Sequence, residues 1–462
     1  MFFRKQHFYF VGIGGIGMSG IAEVLLTVGH TISGSDLKPT PITRRLESLG
    51  AKVFAGHAAE QIAADVTAVV VTSAVNETNP EIQEARRRKI PVIPRGELLA
   101  ELMRLKFGVA IGGSHGKTTT TSMTATILQQ AGLDPTVVVG GRVSAMGGSN
   151  ARVGQSDLLV VESDESDGSF LKLAPILAVV TNVDMEHLDH YKTFDGVLTA
   201  FTDFINKVPF YGAAILCLDD ENVRRLLPNL RRRVITYGTT PQADLMVRNI
   251  DSRADGTSFE LVLHGESLGQ MTIQVPGRHN VLNAAAAAVV SLELGLNGQQ
   301  IAQGLAAFSG VDRRFQWKGE AAGVTVIDDY GHHPTEVRAT LDAARQRQFQ
   351  HIHVLFQPHR YTRTQILMDE FARSFFEADS VTLLDIYAAS EPPIEGVSSQ
   401  ILLEKLRAHG QREVDYAPSL EAGARQVAAR AQAGDMILTL GAGTVSSTAE
   451  NILEELKQRA HA

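Results

Sequence analysis

The sequence contains one cysteine, Cys217, among its 462 residues. A single thiol cannot form a disulfide within the chain and cannot supply a multi-cysteine zinc site. Disulfide scaffolds and cysteine-rich zinc modules are therefore excluded, and the reducing cytoplasm is the expected location. Long apolar runs are also missing, because no stretch reaches the roughly 18 residues of a membrane-spanning helix. We therefore expect a soluble protein with no stable membrane insertion.

Positive charge is not in excess. Lys and Arg number 43 and Asp and Glu number 51, which gives a formal net charge of −8. Nucleic-acid-binding domains are usually basic, so we expect no nucleic-acid partner. The apolar fraction of 44% and the charged fraction of 20% are typical of globular proteins. At about 150 residues per domain, the length indicates roughly three domains.

The first residues imitate a secretory signal, because Arg4 and Lys5 precede an uncharged stretch from Phe8 to Ala22. Several glycines interrupt this stretch, and an apolar helix would avoid them. A strand, a glycine loop and a helix explain the same residues better. We therefore predict a folded segment here.

Short β-branched segments alternate with amphipathic helical segments along most of the chain, which is typical of parallel sheets covered by helices. We predict an α/β protein with three domains: a Rossmann-like domain (1–106), a central P-loop domain with a mainly parallel sheet (107–311) and a C-terminal Rossmann-like domain (312–462). The predicted strands are His7–Val11, Thr31–Ser35, Ala68–Thr72, Phe107–Gly112, Leu158–Val161, Ala178–Thr181, Thr325–Asp328, His353–Phe356, Val381–Leu384 and Met436–Leu440, with Pro91–Pro94 as an edge strand. Residues 244–275 have turn signals that favour antiparallel structure. The basic stretch Phe308–Gly319 is predicted to be irregular.

The first glycine motif, Gly12 to Gly17, matches G-x-G-x-x-G between a predicted strand and a predicted helix. Its backbone N–H groups could approach a diphosphate at the N-terminus of that helix. Asp36 ends the next predicted strand, where a carboxylate could meet a ribose hydroxyl. By itself this motif favours a nicotinamide-dependent dehydrogenase, and a glycine turn that serves only packing is the alternative.

The second glycine motif, Gly113-Ser114-His115-Gly116-Lys117-Thr118, follows another predicted strand. Its backbone could cradle phosphate oxygens, Lys117 could reach the β- and γ-phosphates, and Thr118 could bind Mg²⁺. The usual pattern requires glycine at the position of Ile111, so this loop is a shorter variant.

Acidic segments follow the next two predicted strands. Glu162-Ser163-Asp164-Glu165 comes directly after an apolar strand, where a carboxylate could hold Mg²⁺. Acidic residues in that position are equally often solvated turns. His187, after the following strand, is a metal ligand or a turn residue, and its local sequence favours the turn.

A third group of polar residues lies in the predicted C-terminal domain. His332 occurs in D-D-Y-G-H-H-P, and Arg360 and Arg363 occur in Q-P-H-R-Y-T-R. Both strings follow predicted parallel strands, at the edge where such sheets bind ligands. We expect Arg360 and Arg363 to lie together on the loop just beyond the strand His353–Phe356. Two arginines three residues apart could grip a carboxylate or a phosphate, and surface ion pairing is the alternative.

Together these motifs resemble the Mur ligases, which build the peptide of bacterial cell-wall precursors. The resemblance covers nearly the whole chain in order, through G-I-G-G-I-G-M-S-G, G-S-H-G-K-T-T-T, E-S-D-E-S-D-G-S-F, G-R-H-N-V-L-N-A-A-A-A, D-D-Y-G-H-H-P-T-E and F-Q-P-H-R-Y-T-R. The strings are most similar to the branch of the family that adds L-alanine. The resemblance implies an ATP- and Mg²⁺-dependent ligase acting on UDP-N-acetylmuramate and L-alanine through an acyl phosphate.

The resemblance also implies a role for each matching residue. The first domain would bind the UDP substrate through Gly12, Gly14, Gly15, Gly17, Asp36 and Ser73. ATP would be bound by Gly113, Ser114, His115, Gly116, Lys117, Thr118, Thr119, Asn280, Asn283, Arg314 and Asp329. The implied magnesium ligands are Thr118, Glu162 and His187, which reverses the local interpretation of His187. Tyr330, His332, Arg360 and Arg363 would contact the substrates, and the implied catalytic residues are Lys117, Glu162, His187, His332, Arg360 and Arg363.

The chain departs from the family pattern at two positions. Ser114 replaces a threonine that is usual in the phosphate loop, and Thr202 stands where several relatives have a modified lysine that helps hold magnesium. We therefore expect no modified lysine here. Three alternatives stay open: a sister ligase that attaches a preformed tripeptide, an NAD-dependent oxidoreductase, and a catalytically silent nucleotide-binding regulator.

Overall fold

The computed structural model describes residues 4–72, 75–143, 149–253 and 256–461. The described residues form three sheets of five, ten and six strands, each accompanied by helices. The chain divides into two compact units. The first contains residues up to Ile250 together with Ser258–Ile273 and Val281–Ser309, and the second contains Gly310 onward with the segments 251–257 and 274–280. None of the helices in these ranges is both long and apolar enough to cross a membrane.

The first sheet is parallel throughout, with the strand order β3-β2-β1-β4-β5. Its strands are β1 (His7–Val11), β2 (Thr31–Asp36), β3 (Lys52–Ala55), β4 (Ala68–Val71) and β5 (Val92–Pro94). Its helices are α1 (Ile16–Thr27), α2 (Pro41–Ser48), α3 (Pro80–Arg87) and α4 (Arg95–Met103). The predicted edge strand is confirmed, because β5 lies at the end of this order, where a proline removes no hydrogen bond from a central strand.

The ten-stranded sheet has the order β15-β14-β13-β12-β11-β10-β6-β9-β7-β8. Its strands are β6 (Phe107–Gly112), β7 (Thr136–Val143), β8 (Ser149–Arg152), β9 (Leu158–Glu162), β10 (Leu177–Val180), β11 (Ala213–Cys217), β12 (Val234–Gly238), β13 (Leu245–Arg253), β14 (Gly256–Leu263) and β15 (Glu266–Ile273). Its helices are α5 (Lys117–Gln130), α6 (Leu188–Tyr191), α7 (Phe194–Asn206), α8 (Glu221–Leu226), α9 (Arg278–Glu293) and α10 (Gly298–Ala307). Only two residues, His264 and Gly265, join β14 to its neighbour β15, so this pair is antiparallel as the turn signals indicated.

The third sheet has the order β16-β17-β21-β18-β19-β20 and is parallel apart from β16. Its strands are β16 (Gln316–Ala321), β17 (Val324–Asp329), β18 (Ile352–Phe356), β19 (Ser380–Leu383), β20 (Val414–Tyr416) and β21 (Met436–Leu440). Its helices are α11 (Pro334–Arg345), α12 (Tyr361–Ile366), α13 (Met368–Ala372), α14 (Ser399–Ala408), α15 (Leu420–Arg430) and α16 (Thr448–His461).

The prediction of an irregular chain up to Gly319 was wrong at its end, because β16 begins at Gln316 and pairs antiparallel with β17. A register shift between Trp317 and Gly319 interrupts the alternation of inward and outward side chains. Such a bulge removes the period-two signal by which a strand is recognised in a sequence.

The central strands are apolar because both of their faces are covered. Val109, Ala110 and Ile111 of β6 have no exposed surface, and the neighbouring β9 and β10 are buried in the same way. Strands of this kind are typical of parallel sheets with helices on both faces. The order β10-β6-β9 places the carboxyl ends of these three parallel strands side by side. The second glycine motif, the acidic segment Glu162–Glu165 and the segment that carries His187 all begin at these ends.

Candidate active site

The second glycine motif forms a tight loop between β6 and α5. Gly113 has a φ of +125°, and a Cβ there would collide with Thr181 at the end of β10. The backbone N–H of Ser114 donates to the carbonyl of Asn182 at 3.0 Å, and that of His115 donates to the Asn182 side chain at 2.8 Å. The loop is therefore fixed against the neighbouring strand, and it leads directly into the N-terminus of α5, as phosphate-binding loops do.

Lys117 is the first residue of α5, and its ammonium group turns back over the loop. Nζ donates to the carbonyls of Gly113 at 2.6 Å and Ser114 at 3.0 Å, and it lies 2.7 Å from Oε1 of Glu165. Burial alone would lower the pKa of Lys117, but the carboxylates of Glu165, Glu162 and Asp164 outweigh it and raise the pKa. The side chain therefore keeps its positive charge at the mouth of the loop.

Thr118 and Glu162 form a second pair beside Lys117. The Thr118 hydroxyl donates to Oε1 of Glu162 at 2.9 Å, and the Gly140 N–H donates to Oε2 at 2.6 Å. Burial raises the pKa of Glu162, although Lys117 and these hydrogen bonds oppose the shift. The two residues that the sequence indicated as magnesium ligands on β9 and α5 are thus in direct contact.

His187, the third implied ligand, is grouped with two glutamates. Its Nε2 lies 3.6 Å from Oε1 of Glu165 and 3.8 Å from Oε2 of Glu186, and the ligand atoms of the three residues fall within 4.8 Å of one another. Oε2 of Glu165 is buried and accepts no hydrogen bond from the described residues. Two carboxylates and an imidazole are a donor set that suits a divalent cation. Sequence reasoning missed Glu165 and Glu186 as neighbours of His187, although Glu165 lies in the acidic segment that it had singled out.

Three further residues implied for ATP binding lie around the same loop. Nε2 of His115 is 3.0 Å from Oδ2 of Asp184. Thr119 is buried in α5. Asn283 on α9 accepts a hydrogen bond from Thr120 at 3.2 Å and lies against Gly116, where a Cβ would meet its side chain. The structure therefore brings Asn283 to the second glycine motif from a distant part of the sequence.

The first glycine motif is held by the end of β2. The N–H groups of Gly12 and Ile13 both donate to the carbonyl of Ser35 at 2.9 Å, and the N–H of Gly14 donates to Oδ2 of Asp36 at 2.8 Å. Asp36, which was expected to meet a ribose, is therefore also a fixed support of the loop. Gly15 caps the N-terminus of α1 and Gly17 lies in its first turn. Ser73 lies outside the described residues.

In the second unit, Asp329 and Arg314 lie at the carboxyl end of β17. Asp329 accepts hydrogen bonds from the N–H groups of Phe315 and Gly331, each at 2.7 Å. Burial raises the pKa of Asp329 to about 6, although Arg314 opposes this shift. Arg314 pairs with Glu336 at 3.2 Å, and its guanidinium lies 5.3 Å from the ring centre of Tyr330.

His332 and Asn280 belong to the same unit. Nδ1 of His332 lies 3.2 Å from Oε2 of Glu336, and its ring stands edge-on to that of Tyr330 at 5.1 Å. Glu336 therefore contacts both Arg314 and His332, a link that sequence reasoning missed. Asn280, at the start of α9, donates to the carbonyl of Pro276 at 2.6 Å.

Arg360 and Arg363 differ in their backbone setting. The two arginines were expected to lie on a loop, but Arg363 is inside α12 and only Arg360 precedes this helix. Arg360 has a φ of +70° and a ψ of 136°, and its N–H donates to the carbonyl of Tyr387 at 2.8 Å. Such backbone strain in a residue that is not glycine is typical of functional sites.

Arg363 is oriented by a residue that sequence reasoning missed. Its Nη1 lies 3.2 Å from Nδ1 of His359, and the His359 ring stacks on Tyr387 with ring centres 5.6 Å apart. Burial, with the charges of His332, Arg363 and Arg360, lowers the pKa of His359 to about 3. Because a guanidinium only donates, Nδ1 of this neutral imidazole must be the acceptor. The sequence signal that could have indicated His359 is its position in the string Q-P-H-R-Y-T-R, one residue before Arg360.

Three domain models of one known protein family together match almost the whole chain. Residues 7–107 match the catalytic domain of the Mur ligase family, residues 111–291 the Mur ligase middle domain, and residues 313–443 the Mur ligase glutamate ligase domain. A UDP-N-acetylmuramate–L-alanine ligase from Solibacter usitatus is 64% identical over 99% of this chain and 97% of its own length. One with the same name from Acidobacterium capsulatum is 56% identical over 99% of both chains.

Solved structures give the same result for the fold. The crystal structure of a UDP-N-acetylmuramate–alanine ligase from Thermotoga maritima has a TM-score of 0.81 and 27% identity, and the match covers 99% of this chain and 100% of that one. A murein peptide ligase from Psychrobacter arcticus has a TM-score of 0.72 at 22% identity, over 98% of this chain and 99% of that chain. At that identity the second match supports the fold alone.

Proposed function

We propose, because this chain belongs to the Mur ligase family, that it joins L-alanine to the lactyl carboxylate of UDP-N-acetylmuramate and converts ATP to ADP and phosphate. The 64% identity to a ligase of that name, over 99% of this chain, supports this substrate pair. The observation that carries the proposal is the phosphate loop, in which charged Lys117 and the Thr118–Glu162 pair lie together. The reaction belongs to peptidoglycan precursor synthesis in the cytoplasm.

The chemistry requires activation of a carboxylate, which is a poor electrophile because it is anionic. A lactyl carboxylate oxygen attacks the γ-phosphorus of ATP, the bond between that phosphorus and the bridging oxygen breaks, and ADP leaves. The amine of L-alanine then attacks the acyl carbon and loses a proton, and inorganic phosphate departs with its electron pair. Both steps bring anionic groups together, so positioning and positive charge supply most of the catalysis.

The residues of the loop fit ATP and Mg²⁺. The loop backbone and α5 can cradle phosphate oxygens, and Lys117 lies where the β- and γ-phosphates would be bound. The resemblance assigns the metal ion to Thr118, Glu162 and His187. Of these, His187 is grouped with Glu165 and Glu186, and the buried Oε2 of Glu165, which accepts no hydrogen bond from the described residues, offers a further anionic ligand atom. Bound magnesium would neutralise charge on the phosphates.

The other groups of residues would hold the two acceptor substrates and the nucleotide. The first glycine motif, Gly12 to Gly17, would bind the diphosphate of the UDP substrate at the N-terminus of α1. The resemblance also assigns ATP contacts to Asn280, Asn283, Arg314 and Asp329, and substrate contacts to Tyr330 and His332. Arg360 and Arg363 would hold the carboxylate of L-alanine by forked hydrogen bonds.

The proposal is tested by phosphate release from ATP in the presence of UDP-N-acetylmuramate and one amine at a time. We expect release with L-alanine, and much less with a preformed tripeptide. Faster release with the tripeptide would overturn the proposal in favour of the recycling sister ligase. Saturable binding of NADH, measured by its fluorescence, without ATP-dependent ligation would instead favour an NAD-dependent oxidoreductase.

A further inference from the structure

Two loops of the second unit lie side by side where the paired parallel strands β18 and β19 end. The arginine loop, residues 357–360, follows β18 and leads into α12, which contains Arg363. The clamp loop, residues 384–398, follows β19 and contains Tyr387 and Glu391. The clamp loop belongs to none of the sequence motifs described above, yet it contacts the arginine loop at successive points.

The first contact between the loops is made by the backbone of Tyr387. Its N–H donates to the carbonyl of Pro358, and its carbonyl accepts the N–H of Arg360, each at 2.8 Å. These hydrogen bonds form a short parallel bridge between Tyr387 and His359, whose rings stack on each other. Arg360 has a φ of +70°, which a residue other than glycine keeps only when its surroundings fix it. The clamp loop supplies part of those surroundings.

The second contact is made by the side chain of Glu391. Its Oε2 accepts the N–H of Thr362 at 3.0 Å, and its Oε1 accepts the Thr362 hydroxyl at 2.7 Å. Oε1 also lies 4.0 Å from Nη1 of Arg360. Arg360, which precedes α12, makes no side-chain capping hydrogen bond of its own. Glu391 therefore satisfies an N–H group in the first turn of α12, as the side chain of an N-cap residue would do.

The backbone of the clamp loop is strained directly before Glu391. Ala389 has a φ of +48° and Ser390 a φ of +71°, and the N–H of Glu391 donates to the carbonyl of Ala388 at 2.9 Å. This turn brings the carboxylate of Glu391 against α12, where its side chain is 20% exposed. Two consecutive left-handed residues that are not glycine persist only when the surrounding contacts compensate for them, and the contacts of Glu391 with α12 are of that kind.

We propose that Glu391 is a positioning residue for the amino-acid substrate. Its carboxylate fixes Thr362 and pairs with Arg360, and Arg363 follows Thr362 in the same turn of α12. Glu391 thereby holds both arginines in place before L-alanine binds, which lowers the cost of ordering them around its carboxylate. This role rests on the proposed ligase function, in which the two arginines hold that carboxylate. Glu391 acts through the arginines and makes no contact with the substrate itself.

The test measures steady-state ligation kinetics with ATP, UDP-N-acetylmuramate and L-alanine varied in turn. Glu391→Ala removes both hydrogen bonds and the charge, so the KM for L-alanine should rise about tenfold, the scale of a charged hydrogen bond. The kcat at saturating L-alanine should change less, because the grip on the carboxylate is made in the ground state and the transition state alike. The KM values for ATP and UDP-N-acetylmuramate should stay close to the wild type. Glu391→Gln keeps an acceptor but no charge and should lie between the two.

Two variants of Thr362 separate positioning from a general loss of structure. Thr362→Val keeps the shape of the side chain but removes the hydroxyl that Glu391 accepts, so it should reproduce part of the increase in the KM for L-alanine. Thr362→Ser keeps the hydroxyl and should restore the wild-type value. Because both residues act through one contact, Thr362→Val should raise the KM no further when it is added to Glu391→Ala.

Glu395→Ala is the matched control, because Glu395 is an exposed carboxylate of the same clamp loop, and it should leave all three KM values unchanged. A wild-type KM for L-alanine in Glu391→Ala would overturn the role of Glu391. Equal increases in all three KM values would make Glu391 a structural residue only and would also overturn the proposal. If Glu391→Ala does not fold, Glu391→Gln and the two Thr362 variants decide the question. A wild type that ligates no L-alanine refutes the proposed function instead.

Discussion

The ammonium of Lys117 lies 2.7 Å from the carboxylate of Glu165, and the two side chains are 15% and 3% exposed. A buried ion pair of this kind contributes only modestly to the free energy of folding. The loss of one partner, however, leaves the other charge buried without compensation. Oε1 of Glu165 is also 3.6 Å from Nε2 of His187. The same carboxylate therefore belongs to the cluster of Glu165, Glu186 and His187. Lys117 and the proposed metal site therefore share one anionic group.

The first prediction concerns this pair. Lys117→Ala should abolish ligation while the protein stays folded, because a positive charge no longer faces the transferred phosphoryl group. It should also lower the free energy of unfolding by about 3 kcal/mol, since Glu165 is then buried without its partner. Adding Glu165→Gln should restore most of the lost stability but no activity. Urea denaturation and phosphate release measure the two effects separately.

Lys457→Ala, on an exposed position of α16, is the control and should change neither quantity. Normal turnover by folded Lys117→Ala would contradict the assignment of the phosphate loop. Recovery of ligation in the double variant would mean that the lysine acts only by neutralising Glu165.

The second prediction concerns Thr118, whose hydroxyl donates to Glu162 at 2.9 Å. Thr118→Val keeps the shape of the side chain but removes the oxygen that would bind Mg²⁺, so the Mg²⁺ concentration for half-maximal activity should rise at least about tenfold. Thr118→Ser keeps the oxygen and should stay close to the wild type. Equal Mg²⁺ requirements for the valine and serine variants would show that this hydroxyl is no ligand.

The third prediction follows from activation of the carboxylate by phosphoryl transfer. If the lactyl carboxylate of UDP-N-acetylmuramate is labelled with a heavy oxygen isotope, one labelled oxygen should appear in the phosphate released during ligation. The reason is that this oxygen bridges carbon and phosphorus in the acyl phosphate and leaves with the phosphorus. Mass spectrometry of the phosphate decides the question, and unlabelled phosphate from a full turnover would refute the intermediate.

Periodicity and local motifs predicted most strands, because buried parallel strands are short, apolar and bounded by glycine or polar residues. β1, β6 and β21 have the predicted bounds, at His7–Val11, Phe107–Gly112 and Met436–Leu440. β16 was missed because Gly319 and a register shift break its alternation. Local periodicity carries no information about a strand that is stabilised mainly by its neighbour.

Candidate site residues could be recognised in the sequence where a motif is local, and neighbours were missed where contacts join distant segments. Lys117 and Thr118 are adjacent in a glycine loop, so the sequence alone indicated their chemistry. Glu186 and His359 interact with residues that are distant in the sequence. Glu186 is grouped with Glu165, and the imidazole of His359 stacks on Tyr387, and no spacing rule specifies either contact. Such pairings follow from the tertiary fold and require coordinates.

The last prediction concerns Arg363, whose guanidinium is oriented by Nδ1 of His359 at 3.2 Å. Its guanidinium could fix the carboxylate of L-alanine with two parallel hydrogen bonds and aim the amine at the acyl phosphate. Lysine keeps the charge but lacks the planar fork, so Arg363→Lys should weaken the use of L-alanine by about 1–3 kcal/mol. ATP binding should stay nearly unchanged. Steady-state kinetics with L-alanine varied, beside a separate ATP titration, measure both quantities.

His359→Phe tests the same arrangement without touching the arginine, because a phenyl ring retains the stacking on Tyr387 but offers no acceptor to Arg363. It should raise the KM for L-alanine by a smaller factor than Arg363→Lys, and the combination of both changes should cost less than the sum of the two, since they act on one contact. Arg373→Lys, at an exposed position after α13, serves as the control. Unchanged alanine kinetics in Arg363→Lys would show that Arg363 is only a surface charge. A loss confined to ATP binding would assign Arg363 to the nucleotide site instead.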